Sequence, residues 1–314
     1  MTKQLLKDFD LFSRALIGSK DVDPVYPLVK HMLTLDEFKE VEPEWFIFCY
    51  VGFYCLESGI KMVRLMPKRS DWDSSQFREF RTKVRKFGHE RRGTARNVDR
   101  QIEMFEAIVG FLDDLEKHKI GEMNSPLIDS NLDFRDGIES LPNHGGWASF
   151  KIAELFEKSL GYSQFKIPDL GLEGRNPNSN DNAVGGLRWL FGREIKYDKS
   201  IYKNWNEFGF NLAKGWGVDI GEVETCLCKF HKLKTGKYFI GHDIQEFVEL
   251  KNVLGEKSYK KLLSGIFDKV FWENKTKLEK SKKSVYRDKN IILYSEFANK
   301  FPRLKIVEEM LKVL

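Results

Sequence analysis

Apolar residues along this chain recur mainly three and four positions apart. Met104, Ile108, Phe111, Leu112 and Leu115 are one instance, and that spacing sets them along a single stripe of an α-helix. Strand-like alternation is scarce. The pattern predicts helices at about 3–17, 24–33, 43–58, 74–87, 97–117, 147–160, 183–192, 200–214, 219–231, 242–252, 257–273 and 291–313. Punctuation agrees at two ends: Asp73 stands just ahead of the 74–87 segment, and Gly161 just past the 147–160 segment. The fold class expected is all-α.

Two polar stretches interrupt the periodicity. GLEGRNPNSNDN, residues 171–182, reads as an irregular loop, and ENKTKLEKSKKSVYRDKN, residues 273–290, as a solvated connection. A chain of 314 residues can bury one large core or two medium ones. The expected organisation is an N-terminal helical region with a basic face at 1–135, a central region at 136–254 and a C-terminal helical extension at 255–314. No internal repeat is visible. GKY at 236–238 lacks the frame of a phosphate-binding P-loop, so nucleoside triphosphate chemistry is not expected.

Composition narrows the class. With 41% hydrophobic and 32% charged residues the chain is globular rather than disordered. No apolar run is long enough to span a membrane, and MTKQLLKDFDLFSRAL alternates charged and apolar residues as an amphipathic helix does. A cytoplasmic protein without membrane span or secretion signal is expected. Cys226-Leu-Cys228-Lys-Phe-His231 invites a metal reading, but no further ligand group stands at zinc spacing. Buried helical thiols are expected instead, with no metal or cofactor.

The net charge of +5 understates how unevenly charge is distributed. Residues 61–100 hold thirteen Lys/Arg against five Asp/Glu, interleaved with Trp72, Phe77, Phe80 and Phe87. Such a stretch packs its rings inward and turns its cations outward. The partner expected is a polyanion, nucleic acid being the commonest.

A glycine corner gives that partner a place. In LPNHGGWASFKIAEL, residues 141–155, Gly145 and Gly146 follow a turn and open a helix. The first amides of a helix lack intrahelical acceptors, the helix dipole adds positive charge, and glycine permits positive φ and close approach. A phosphate is expected there, at Asn143, His144, Gly145, Gly146 and Trp147. The alternative is a plain interhelical turn. Along the helix, Trp147, Phe150, Ala153, Phe156 and Leu160 are expected on the buried side, and Lys151, Glu154 and Lys158 on the polar one.

The order Leu-Pro-x-x-Gly-Gly-x-Ala-Ser-x-Lys-Ile-Ala resembles the helix-hairpin-helix element of the DNA glycosylase superfamily. It departs from that pattern at Asn143, where the first glycine belongs. Asp169, in Ile167-Pro168-Asp169, occupies the place of that superfamily's aspartate, and the four-cysteine iron-sulfur loop of some members is absent. A longer resemblance covers roughly residues 20–245: Asp23-Pro24-Val25-Tyr26-Pro27-Leu28, Trp45 to Tyr54, GGWASFKIAELFEKSLGY, Asp169, GLRWLFG at 186–192 and ETCLCKFHKLKTGKYFIGHDI at 224–244. In these the chain looks like the alpha-glutamyl/putrescinyl thymine pyrophosphorylases, bacteriophage amino acid:DNA transferases related to those glycosylases.

The resemblance implies a helix-hairpin-helix glycosylase-like architecture, in one lobe or two, and a step of thymine hypermodification. The implied partners are double-stranded DNA carrying activated 5-hydroxymethyluracil and a free amino acid, glycine first, or polyamine. A separate kinase makes the activated base, and the host cytoplasm is the implied location. The base must be extruded to be reached. Asp169 is then the candidate acceptor of the amine's proton, its other reading being a turn or cap after proline. Lys151, His242 and Asp243 complete the catalytic candidates, although Asp243 reads equally as a helix cap. Arg91, Arg92, Arg96, Arg188 and Lys229 are candidates for the leaving phosphate or the DNA backbone. Two rival readings are a base-excision glycosylase and a non-catalytic DNA-binding protein.

Overall fold

The structure, a computed structural model, describes residues 3–18, 21–83, 97–121, 131–172, 182–192, 199–235, 238 and 250–266. The fold is all-α: the described residues form twelve α-helices and no strand. In chain order these are α1 (Lys3–Gly18), α2 (Val25–Met32), α3 (Pro43–Phe53), α4 (Leu56–Leu65), α5 (Ser74–Lys83) and α6 (Val98–Gly121). They continue with α7 (Asn131–Glu139), α8 (Gly146–Leu160), α9 (Asn182–Phe191), α10 (Lys199–Trp216), α11 (Ile220–Lys234) and α12 (Leu250–Ile266). The chain divides into two compact units, each drawn from separated stretches. One takes residues 1–24, 167–245 and 267–314, the other 25–166 and 246–266.

The unit holding residues 25–166 centres on α3 and α8. From Trp45 to Phe53 every residue of α3 is buried, so the helix is apolar on all sides and carries no stripe to read. The expected single helix at 43–58 is therefore two. Tyr54 ends α3 in the left-handed region (φ 48°, ψ 45°), Cys55 is extended, and α4 begins at Leu56. The reversal lets α4 lie back on α3, with Gly59 so close to the Tyr50 backbone that a β-carbon there would approach Tyr50 Cα to 3.1 Å. Trp45, Phe53, Trp72, Phe77 and Phe105 form a ring cluster with centroids 5.2–6.4 Å apart. Asp73 caps α5 as expected, accepting from the Ser75 and Gln76 N–H groups at 2.7 and 3.0 Å.

Helix α7 is the element that periodicity did not predict. Its nine residues NLDFRDGIE are mostly polar, with a glycine inside. Phe134 anchors it, stacked on Phe165 at 4.0 Å and tilted against Phe156 at 5.1 Å. Helix α8 ends where expected: Gly161 turns left-handed (φ 82°), its N–H donating to Glu157 O at 2.9 Å while Tyr162 N–H donates to Phe156 O at 3.1 Å. The Tyr162 hydroxyl then donates to Glu44 Oε1 at 2.5 Å. Two helices were expected at 242–252 and 257–273. Of these the described residues show α12, 250–266, broken by a non-helical Gly255 (φ 75°, ψ 162°) and packed on α2 and α4.

In the other unit α1, α9 and α10 all pack on α11. Phe9 sits among Phe208, Trp216 and Phe230 with centroids 5.2–6.5 Å apart. Asp219 and Glu222 form a reciprocal cap at the start of α11. Helix α9 approaches α11 closely at Gly186, where a β-carbon would stand 2.2 Å from the Leu227 carbonyl oxygen.

Candidate nucleic-acid interface

Residues 140–145 join α7 to α8 in a tight corner. His144 N–H donates to Leu141 O at 3.0 Å, and the His144 ring holds Nδ1 3.0 Å from Pro142 O, leaving Leu141 and His144 buried. The left-handed step is made by Asn143 (φ 62°), whose side-chain amide reaches Arg100 O at 3.5 Å. This corrects the expectation that the glycines supply the positive φ. Gly145 is extended (φ −122°, ψ −177°), and Gly146 is the first helical residue. Asparagine tolerates the left-handed region best among non-glycine residues, so the departure from the glycosylase pattern falls where the backbone accepts it.

What the glycines contribute is space. Gly145 is exposed, no side chain caps α8, and a β-carbon at Gly145 would meet no heavy atom within 4 Å. The Gly145 carbonyl accepts from Ala148 and Ser149 N–H groups at 2.7 and 3.1 Å, starting the helix. An acid of the chain's own stands on the other side. Glu139 Oε1 lies 3.4 Å from a β-carbon placed at Gly146 and accepts the Ser149 hydroxyl at 2.6 Å, with Arg135 3.9 Å away. It shares the positive end of the α8 dipole with any anion that arrives. One residue on, Trp147 is half-buried and edge-on to Tyr54, ring centroids 4.4 Å apart.

The stripe expected to face solvent on α8 is interior. Lys151 is 7% exposed and Glu154 fully buried, which corrects the reading of these residues as a polar face. The Tyr26 hydroxyl donates to Glu154 Oε2, and Lys151 Nζ donates to the Tyr26 oxygen while standing 3.4 Å from Glu154 Oε2. Lys158 approaches Glu154 Oε1 at 3.8 Å, and both ammonium groups lie over the Tyr26 ring, at 4.4 and 5.1 Å. Buried charge survives where each group has a partner, and here α2 supplies a phenol that bridges acid and base. The sequence did carry a signal, a Lys-Glu-Lys set at spacings of three and four and a tyrosine in the turn-rich DPVYPL, but nothing in it joins the two.

The remaining candidates divide among other places. Asp169 belongs to the unit of α1 and α9–α11, whereas the glycine corner belongs to the other. Its Oδ1 accepts the Gly171 N–H at 2.6 Å and its Oδ2 faces the Asn206 amide at 3.4 Å, the turn geometry offered as its alternative reading. Lys229 is 6% exposed, donates to the carbonyls of Asp21 and Val22, and lies 5.2 Å from the Tyr238 ring centroid. That ammonium is committed to the fold, where it satisfies carbonyls following α1. Arg188 is half-buried in the last turn of α9. Arg91, Arg92, Arg96, His242 and Asp243 lie outside the described residues.

Two further features bear on ligands. Cys226 is buried on α11, and burial raises its thiol pKa and pushes that of Cys228 up to about 11. Among the described residues no group of His, Cys, Asp and Glu is arranged to hold a metal. A cleft of about 710 Å³ in the unit of residues 25–166 is rich in acids, Glu40, Glu42, Glu44, Asp113 and Glu116, and its Arg69 is paired with Glu42, Asp113 and Glu116. Lys39 and Lys68 also line it, so the lining carries five acids against three bases. No helix among the described residues is long and apolar enough to cross a membrane. No family model, curated protein or solved structure matches the chain.

Proposed function

We propose that this chain is a DNA-modifying transferase of bacteriophage thymine hypermodification, acting in the host cytoplasm on double-stranded DNA. The α7–α8 corner acts as a helix-hairpin-helix grip on the backbone, and the observation that carries this is the uncapped, open start of α8 at Gly145. The charge balance of residues 61–100 supplies the long-range attraction. In the reaction a neutral amine, from glycine or another amino acid or polyamine, attacks the exocyclic methylene of phosphorylated or pyrophosphorylated 5-hydroxymethyluracil. The carbon–nitrogen bond forms, the carbon–oxygen bond to the leaving phosphate or pyrophosphate breaks with its electron pair, and the amine's surplus proton passes to a base. Asp169 is assigned that proton.

A second reading, DNA binding without catalysis, is favoured by the engagement of both Asp169 oxygens inside a turn. One experiment separates them. The protein is incubated with DNA carrying phosphorylated or pyrophosphorylated 5-hydroxymethyluracil and a mixture of amino acids and polyamines, and the digested nucleosides are weighed. The transferase reading expects a nucleoside heavier than the free 5-hydroxymethyl nucleoside by the amine minus one water. It also expects Asp169→Asn, which preserves the acceptor for Gly171, to lower product formation about 100-fold or more. No mass gain with any amine, alongside retained DNA binding, overturns the transferase and leaves the binding protein. Abasic sites in place of a heavier base assign the chain to base excision.

A further inference from the structure

We infer that the Arg100 guanidinium is a second backbone contact of the α7–α8 corner, holding a DNA phosphate beside the one at Gly145. This rests on the reading of that corner as a DNA grip and goes beyond it, because the corner's own donors are backbone amides, which carry no full charge. Helix α6 starts next to the corner. Asn143, the left-handed residue of the turn, reaches the Arg100 carbonyl with its side-chain amide at 3.5 Å, and Gly145 follows two residues later. Arg100 and Gly145 are both exposed and belong to the same unit of the fold.

Among the described residues the cations of 61–100 are mostly engaged. Lys61 pairs with Glu57, Arg64 with Glu37, Arg69 with Glu42, Asp113 and Glu116, and Arg78 with Asp99, while Arg81 is buried. Arg100 differs from these. Its neighbour Asp99 is held by Arg78 at 2.6 Å, and among the described residues no acid pairs with the Arg100 guanidinium. An exposed, unpaired arginine at the edge of the corner presents a planar fork that matches two oxygens of one phosphate. Lys68 supplies the comparison. It comes from the same stretch and is also exposed, but it lines the acid-rich cleft with Asp113 and Glu116. Asp113 stands roughly 20 Å along α6 from Arg100.

The test measures the affinity of the full chain for a labelled, unmodified DNA duplex over a range of salt concentrations. Losing a cation that touches a phosphate leaves one fewer counterion to be released, so log affinity against log salt becomes shallower by about 0.9. Arg100→Gln is expected to show that change and to bind about three- to tenfold more weakly at fixed salt. Arg100→Lys keeps the charge without the fork and should keep the wild-type salt slope. Lys68→Gln removes the same charge far from the corner and should leave slope and affinity near those of the wild type. Thermal unfolding checks that each variant is folded. A folded Arg100→Gln protein with the wild-type slope overturns the contact while the grip stands. So does a Lys68→Gln protein that loses as much as Arg100→Gln, because the loss is then one of overall charge. A wild-type protein that does not bind the duplex removes the grip and the role of Arg100 with it.

Discussion

Two glycine pairs sit near helix starts in this chain, and they are there for opposite reasons. Gly186 of the pair Gly185-Gly186 lies where α9 crosses α11, with a β-carbon position 2.2 Å from the Leu227 carbonyl oxygen. Gly145 of the pair Gly145-Gly146 faces open space, with no heavy atom within 4 Å. The first glycine is demanded by the protein's own packing. Among the described residues nothing crowds the second, so the fold there leaves room for a larger side chain. Identical dipeptides thus meet opposite surroundings, one closed by backbone and one open.

The largest effect concerns the helix that presents the open corner. Replacing Glu154 with Leu strands the buried Lys151 beside Tyr26 and takes the partner of the half-buried Lys158, and stability in urea should fall by about 3–5 kcal/mol. Equal stability would mean that the buried cluster does not anchor α8, and the corner would lose its rigid support. Gly186→Ala comes next, at about 1–3 kcal/mol by the same measurement, because backbone rather than a flexible side chain is in the way. A harmless alanine there would erase the contrast between the two pairs. Glu139→Gln removes the acid beside the α8 start, and affinity for duplex DNA should rise about two- to fivefold, corresponding to one helix-dipole or surface-charge interaction. Unchanged binding would move the phosphate away from that end of the helix. Smallest is Gly145→Ser, which adds a capping hydroxyl and should raise stability by a few tenths of a kcal/mol, read from the thermal midpoint. A loss of stability would mean that the position is not open.

The all-α class and most helix positions were legible because a helix packed on one side shows its stripe. Three departures have physical causes. The run from Trp45 to Phe53 is buried all round, so it has no period, and the reversal at Tyr54 left no mark of the kind glycine or proline leaves. Helix α7 has few apolar residues and depends on Phe134 meeting Phe156 and Phe165, contacts remote from its local sequence. On α8 the charges at 151, 154 and 158 follow the spacing of an exposed face, yet Tyr26 of α2 covers them. At the candidate site the turn and the exposed glycine were readable from LPNHGG. The transfer of the left-handed step to Asn143 and the carboxylate of Glu139 were not, since both depend on how α7 meets α8.

The measurement that bears most directly on the whole account is the affinity of Gly145→Val for a labelled DNA duplex at fixed salt, compared with the wild type. The valine side chain fills the space beside the first turn of α8 while its extended backbone remains comfortable, so the fold should persist. Binding at least tenfold weaker with an unfolding midpoint near that of the wild type is the result expected. Undiminished DNA binding by the folded variant would contradict the claim that this corner holds the nucleic acid.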